Sequence, residues 1–275
     1  MYKILVSFLF IVISSISHAQ VNMYTILHLN ENREYKTVKP KKVIETITFY
    51  DPSGTKTEKN IKVFDNSGML LTEERFDENG TLTAKLTYVN DTTKRLILER
   101  VLERWNSFGN SKETAYYVYD TDNFLILVED KNKNGTTINR SEIKNNEKGN
   151  PIEFSGFDRN GNFYGKETAT YFYDKNKVKI SVVSNDGNIV STDTIKISFK
   201  DSFKYKEDKE TYNDRGDLTE YSSKNFNGTF TTYKEEYQYD IAGNCIENKI
   251  HEVIMKPNGK QKLKLKNDYK MDYFY

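Results

Sequence analysis

The sequence predicts an all-β protein, a long antiparallel meander of β-hairpin repeats that forms a curled or spiral sheet of about 14 to 16 strands. Three observations predict it. A turn phrase keeps returning, strand-length segments separate its copies, and side-chain polarity alternates within those segments. The phrase is an aromatic residue, then usually an acid, two variable residues and Gly, as in Phe76-Asp77-Glu78-Asn79-Gly80. Other copies occupy residues 50–54, 64–68, 157–161, 212–216 and 239–243. Within it the Asp or Asn side chain can bond the turn backbone, and Gly takes up the positive φ that most residues avoid.

The elements follow in order from the phrase. Its last position, held by Gly or by an Asn in its place, falls at Gly54, Gly68, Gly80, Gly109, Asn123, Gly135, Gly149, Gly161, Asn176, Gly187, Gly216, Gly228, Gly243 and Gly259. Many successive steps are 12, 14 or 15 residues, and pairs of steps sum to 26 or 27. A turn at each position leaves about eight residues between turns, the length of a strand and not of a helix. Leu82, Ala84, Leu86 and Tyr88 alternate with Thr81, Thr83, Lys85 and Thr87. Tyr233, Glu235, Tyr237 and Tyr239 repeat that period, as do Ile246, Asn248, Ile250, Glu252 and Ile254. Period two places each set on one face of a half-buried strand. Residues 95–105 and 194–208 are the least regular stretches. Leu96, Leu98, Val101 and Leu102 suit a short helix, but Ile97 and the neighbouring repeats favour a longer hairpin. No Pro-, Gly- or Ser-rich linker divides the chain, so residues 20–275 form one domain.

The N-terminal residues carry an address. A single Lys3, an apolar run over residues 4–16 and the small residues Ser17 and Ala19 match a secretory signal peptide over residues 1–19, cleaved after Ala19. The run is shorter than the roughly 20 residues of a membrane-spanning helix. No second long apolar segment follows, so the chain is expected to be exported, to the periplasm or beyond the cell, with no integral membrane segment after cleavage. The one cysteine, Cys245, excludes an internal disulfide framework. Lys plus Arg number 41 against 40 Asp plus Glu, and a net charge of +1 offers no basic stripe for nucleic acid.

At the turn phrases the chain resembles the YD-repeat, or RHS-repeat, family. The clearest stretch runs from Gly228-Thr229-Phe230-Thr231-Thr232-Tyr233 through Tyr237-Gln238-Tyr239-Asp240-Ile241-Ala242-Gly243-Asn244. A second copy runs from Gly161 through Tyr171-Phe172-Tyr173-Asp174, with its final Gly replaced near Asn176. The resemblance spans residues 50–259, with repeats longer than the family's usual unit. The MORN-variant repeat is the alternative, since Phe76-Asp77-Glu78-Asn79-Gly80-Thr81-Leu82 suits either. The YD-repeat resemblance implies a spiral of hairpins on an exported bacterial protein, associated with carbohydrate binding, surface contact or enclosure of a toxin. This chain is too short to enclose a cargo domain, and the family supplies no catalytic residues to carry over.

The chemistry points to binding. After signal removal only His28 and His251 remain, with Cys245 alone, and no zinc spacing, nucleophile elbow or phosphate loop can be assembled. No catalytic residue, metal or cofactor is therefore assigned. Asp130-Lys131-Asn132-Lys133-Asn134-Gly135 copies the start of a calcium loop, but the twelfth position falls on Ser141 and Glu142 comes one residue late. A hairpin turn accounts for that segment better. Exposed aromatics suit sugar rings or protein contacts. The candidates are Tyr171, Tyr173, Tyr237, Tyr239 and Trp105, with Tyr116, Tyr117, Tyr119, Phe163 and Tyr233 beside them. Alternate members of these runs equally suit an aromatic ladder within the sheet.

The expected function is a non-enzymatic binding or scaffold surface of the bacterial envelope, with a polysaccharide or an envelope protein as partner. A divergent hydrolase of envelope sugars is a further alternative. The alternation of Tyr269, Met271, Tyr273 and Tyr275 raises an outer-membrane barrel as a rival, which needs an outward apolar band on every strand. Leu218, Glu220, Ser222, Lys224 and Phe226 do not supply one.

Overall fold

The computed structural model describes Asn22, Met23, Ile26 and residues 39–196, 210–225 and 227–275. The signal-peptide segment lies outside the described residues, as do His28 and much of the 194–208 stretch. The described residues form one antiparallel sheet of 17 strands, open between β12 and β13. In chain order they are β1 (Lys42–Asp51), β2 (Gly54–Phe64), β3 (Leu70–Phe76), β4 (Leu82–Asp91), β5 (Leu96–Asn106) and β6 (Gly109–Tyr119). Next come β7 (Leu125–Asn132), β8 (Thr137–Asn145), β9 (Pro151–Asp158), β10 (Phe163–Phe172), β11 (Lys177–Ser184) and β12 (Ile189–Lys196). The last five are β13 (Thr211–Tyr212), β14 (Leu218–Lys224), β15 (Phe230–Tyr239), β16 (Cys245–Met255) and β17 (Gln261–Phe274).

Each strand from β1 to β11 pairs with its successor, and so does each from β13 to β16. The two runs join where β1 pairs with β17, in a register that sets Val43 opposite Tyr273 and Ile47 opposite Tyr269. The first and last strands of the chain therefore lie side by side in the middle of the sheet. Among the described residues, β12 and β13 are its edges.

Turn chemistry explains the meander. Every position marked from Gly54 to Gly259 has positive φ, including Asn123 at 66° and Asn176 at 47°. At Asp158 the pattern is complete. Its Oδ1 accepts from Asn160 and Asn162 N–H, its N–H donates to the Asn162 carbonyl, and Gly161 N–H donates back to the Asp158 carbonyl. Asp65, Asp77, Asp120, Asn132, Asn146 and Asn213 repeat this arrangement. It is a turn closed by a residue in the left-handed region, and it shifts the strand register by one residue, as at Arg75/Phe76 and Val118/Tyr119.

The strand count exceeds the expected range for two reasons. Arg95 turns the chain at φ 58° without Gly, Asn or the aromatic-acid opening, and β12 and β13 lie on either side of residues 197–209, which are outside the described residues. The stretch around Leu96 is a strand, β5, and not a helix.

Alternation splits the strands into an inner face, which carries most of the buried strand residues, and an outer one. The inner face holds two apolar clusters. One gathers Ala115, Tyr117, Val128, Ile143, Phe154, Val178 and Ile180 from β6 to β11, together with Met23 and Ile26. The other gathers Ala84, Leu86 and Leu102, with Tyr88 against them. Charged groups share this face. Lys62 Nζ lies 2.9 Å from Glu45 Oε2, and Asn60 Nδ2 donates to the same oxygen at 3.2 Å. Arg75 pairs with Glu73, and Asn139 Nδ2 donates to Asp130. Partners are what make such burial tolerable, because an unpaired buried charge is strongly destabilising. Burial pushes the Asp130 carboxyl up, against the Asn139 hydrogen bond.

The outer face is laced with ion pairs, among them Lys85–Glu74, Arg140–Glu142 and the Glu153 carboxylate between Lys144 and Lys166. Tyr269, Met271 and Tyr273 at the C-terminus share the face of Ile47, Glu45 and Val43, leaving Lys270 and Asp272 outward. These strands present no outward apolar band.

Candidate binding site

Antiparallel pairing sorts the turns onto two rims. One rim carries the turns after the odd-numbered strands β1 to β11 and after β14 and β16. The other carries the turns after the even-numbered strands β2 to β10 and after β13 and β15, with the start of β1 and the end of β17. The two rims differ in chemistry.

The second rim is latched by tyrosines. Tyr171 and Tyr173 stack with ring centroids 5.4 Å apart, Tyr237 and Tyr239 at 6.2 Å, and Tyr273 and Tyr275 at 6.4 Å. The first member of each pair donates its hydroxyl to a main-chain carbonyl about one repeat earlier. Tyr171 bonds Pro151 at 2.7 Å, Tyr237 bonds Leu218 at 3.0 Å and Tyr273 bonds Cys245 at 2.8 Å. The second member holds the first and last residues of an earlier turn. Asn146 and Asn150 both donate to the Tyr173 hydroxyl, at 2.8 and 3.1 Å. Asn213 donates to Tyr239, which donates to Asp217. Asn244 donates to Tyr275, which donates to Asp240. Lys148 caps the Tyr173 ring at 3.9 Å and Arg215 the Tyr239 ring at 4.2 Å. Burial first, and then the bond to Asp217, pushes the Tyr239 phenol up to about 12. Burial likewise raises Tyr171 and Tyr237.

Four of the five sequence candidates thus form two stacked pairs whose hydroxyls are engaged within the protein. The pairs sit on different runs of the sheet and do not converge. Tyr233 stacks on Tyr221 at 5.4 Å, and Phe163 meets Phe157 edge-on. The sequence showed the aromatics but not the latch, because their partners lie one repeat away.

Trp105 stands elsewhere, on the outer face near the first rim. β5 and β6 set it opposite Asn110, with Glu103 opposite Lys112. These residues, with Ser111 and Lys133, line a cleft of about 170 Å³. Glu103 and Lys112 approach to 4.0 Å at its wall. The half-buried indole thus shares the outer face with the Asn110 amide, the Glu103 carboxylate and the Lys112 ammonium group, and Lys133 completes the cleft. Beside it Phe108, at the hairpin tip, is 99% exposed. Ile189, Val190, Phe230 and Met255 are also exposed on this rim.

The calcium-like segment is a hairpin turn. Asn132 Oδ1 is committed to the N–H groups of Asn134 and Thr136, while Asp130 belongs to β7 and the inner face. Among the described residues no group of three or more His, Cys, Asp or Glu side chains is placed to hold a metal.

No family model matches the sequence, and no curated protein matches it. Solved structures with similar shape include a porin-like protein from Bacteroides uniformis, at TM-score 0.47 and 11% identity, covering 87% of this chain and all of that one. The Photorhabdus luminescens Tc holotoxin pore is similar at TM-score 0.35 and 12% identity, over 81% of this chain. The chain spans only 14% of that toxin chain's length. An outer-membrane lipoprotein-sorting protein domain from Vibrio parahaemolyticus follows at TM-score 0.15 and 8% identity, with 63% of this chain and 93% of that one covered. At these identities and scores the likenesses do not extend to function. No helix among the described residues is long and apolar enough to cross a membrane.

Proposed function

We propose that the protein is an exported, non-enzymatic binding protein of the bacterial envelope and that its ligand is a glycan held at the Trp105 cleft. The observation that carries this reading is the placing of one indole with Asn110, Glu103, Lys112 and Lys133 around a hollow of about 170 Å³. An aromatic face covers the apolar side of a pyranose, while amide, carboxylate and ammonium groups exchange hydrogen bonds with its hydroxyls. The Tyr171–Tyr173 and Tyr237–Tyr239 pairs keep the hairpins in place in this reading.

Trp105 is the sole tryptophan, so its fluorescence reports the cleft directly. Titration with soluble polysaccharides should shift that emission, and Trp105→Ala should abolish competed retention on the immobilised sugar. Replacing Tyr171, Tyr173, Tyr237 and Tyr239 with Phe should leave retention intact. Clean passage across a broad polysaccharide panel, with unchanged fluorescence, would remove the glycan reading. A second reading, a protein-interaction scaffold, draws on the exposed Phe108, Ile189, Val190, Phe230 and Met255 along the same rim.

A further inference from the structure

Met23 and Ile26 belong to no strand, yet they are 0% and 5% exposed. Ile26 N–H donates to the Asn22 carbonyl at 3.0 Å, which closes one helical turn. That turn sets Met23 and Ile26 three positions apart on one face. Both enter the apolar cluster of β6 to β11, against Ala115, Tyr117, Val128, Ile143, Phe154 and Val178. A polar contact accompanies them, from Met23 N–H to Glu167 Oε2 at 2.7 Å. Burial pushes the Glu167 carboxyl up, and this N–H is what opposes it.

The place of this turn is unexpected from chain order. Residues 39–51 lead into β1, whose neighbours are β2 and β17. The turn docks on strands five or more places away in the sheet. Its described contacts with them include two apolar side chains and a main-chain N–H. Those are the contacts by which a groove takes an amphipathic helical peptide.

We propose that the inner face of β6 to β11 is a peptide-binding site, occupied by the chain's own N-terminal turn. Its ligand class is a short helical segment with apolar residues three apart, whose first-turn N–H meets the Glu167 carboxylate. A helix leaves its first N–H groups unpaired, so a carboxylate at that point is a fitting acceptor. The site lies on the opposite face from the Trp105 cleft and stands independently of the glycan reading.

The test uses a fluorescently labelled synthetic peptide of residues 20–30 and the full chain carrying Met23→Asp and Ile26→Asp. The variant, with its turn expelled, should bind the peptide saturably, at least tenfold more tightly than the wild type does. A peptide carrying Met23→Asp should not bind. A folded variant that ignores the peptide, or a wild type that binds it equally well, would overturn the proposal. Hydrogen exchange of the wild-type protein decides the matter if the variant does not fold. A detachable turn requires the Met23 amide to be protected yet to exchange well ahead of the β7 amides. Exchange at the rate of β7, or no protection, would show an integral core element or an unseated one, and either result defeats the proposal.

Discussion

At the scale of single residues, a tyrosine in this sheet acts at both ends. The rings of Tyr237 and Tyr239 stack, and their hydroxyls hold parts of the chain about one repeat earlier. Tyr239→Phe keeps the stack and removes the hydroxyl between Asn213 and Asp217. Loss of that hydrogen bonding should cost about 1 to 3 kcal/mol, read as a lower midpoint in urea unfolding. The same group sets a pH dependence. Its folded pKa, about 12, lies above the ordinary phenol value. The native state therefore holds the proton that the unfolded chain releases first. The stability involved is fully present below the unfolded pKa, near 10, and drains away as pH rises to about 12. Tyr239→Phe should remove this group's share of the decline in an alkaline titration of stability, while Tyr88, Tyr119, Tyr171 and Tyr237 keep theirs. The four tyrosine candidates were visible as an aromatic pattern, and the alternative of an internal ladder was visible too. What sequence could not supply was the partner of each hydroxyl, because Asn146, Asn150 and Asp217 look like ordinary turn residues.

At the scale of the hairpin, the sequence was most legible where backbone geometry restricts the choice of residue. Gly, or Asn at positions 123 and 176, occupies the positive-φ end of each marked turn. Arg95 escaped notice because its turn, opened by Asp91, does the same with an ordinary side chain. Local sequence also says nothing of what stands above a turn. Gly161 and Gly149 have φ of 78° and 76°, but a Cβ at Gly161 meets open space, whereas one at Gly149 would come within 2.2 Å of the Phe124 ring. Gly161→Ala should cost about 1 to 2 kcal/mol, the price of the left-handed conformation for an L-residue. Gly149→Ala adds a clash with a packed ring and should cost about 1 to 3 kcal/mol more. Thermal melts of the two variants check this, and equal losses would show that the ring moves aside freely.

At the scale of the whole molecule, the contact that sequence reasoning had no means to find joins the ends of the chain. A meander read from turn signals runs from one edge strand to the other, which would place β1 and β17 at opposite edges. The structure pairs them from Lys42 opposite Phe274 to Phe49 opposite Asn267. The two runs of hairpins thereby become one sheet, with β12 and β13 as its edges among the described residues. Alternation made both partners eligible, since Val43, Glu45 and Ile47 share a face as Tyr269, Met271 and Tyr273 do, but nothing local announces the pairing. In a repeat array each strand depends mainly on its neighbours, so damage should spread from where it is made. Deletion of residues 261–275 removes β17 and leaves β1 and β16 each without one neighbour. Amide exchange should then accelerate in β1 and β16, although β1 lies more than 200 residues from the deletion in sequence. The amides of β7 and β8, flanked by intact strands and the larger apolar cluster, should keep their protection. If protection fell equally in β7 and β8, the sheet would behave as one cooperative unit that the terminal pairing holds together. If β1 stayed protected, the pairing of the chain ends would be dispensable and the two runs of hairpins would be stable separately.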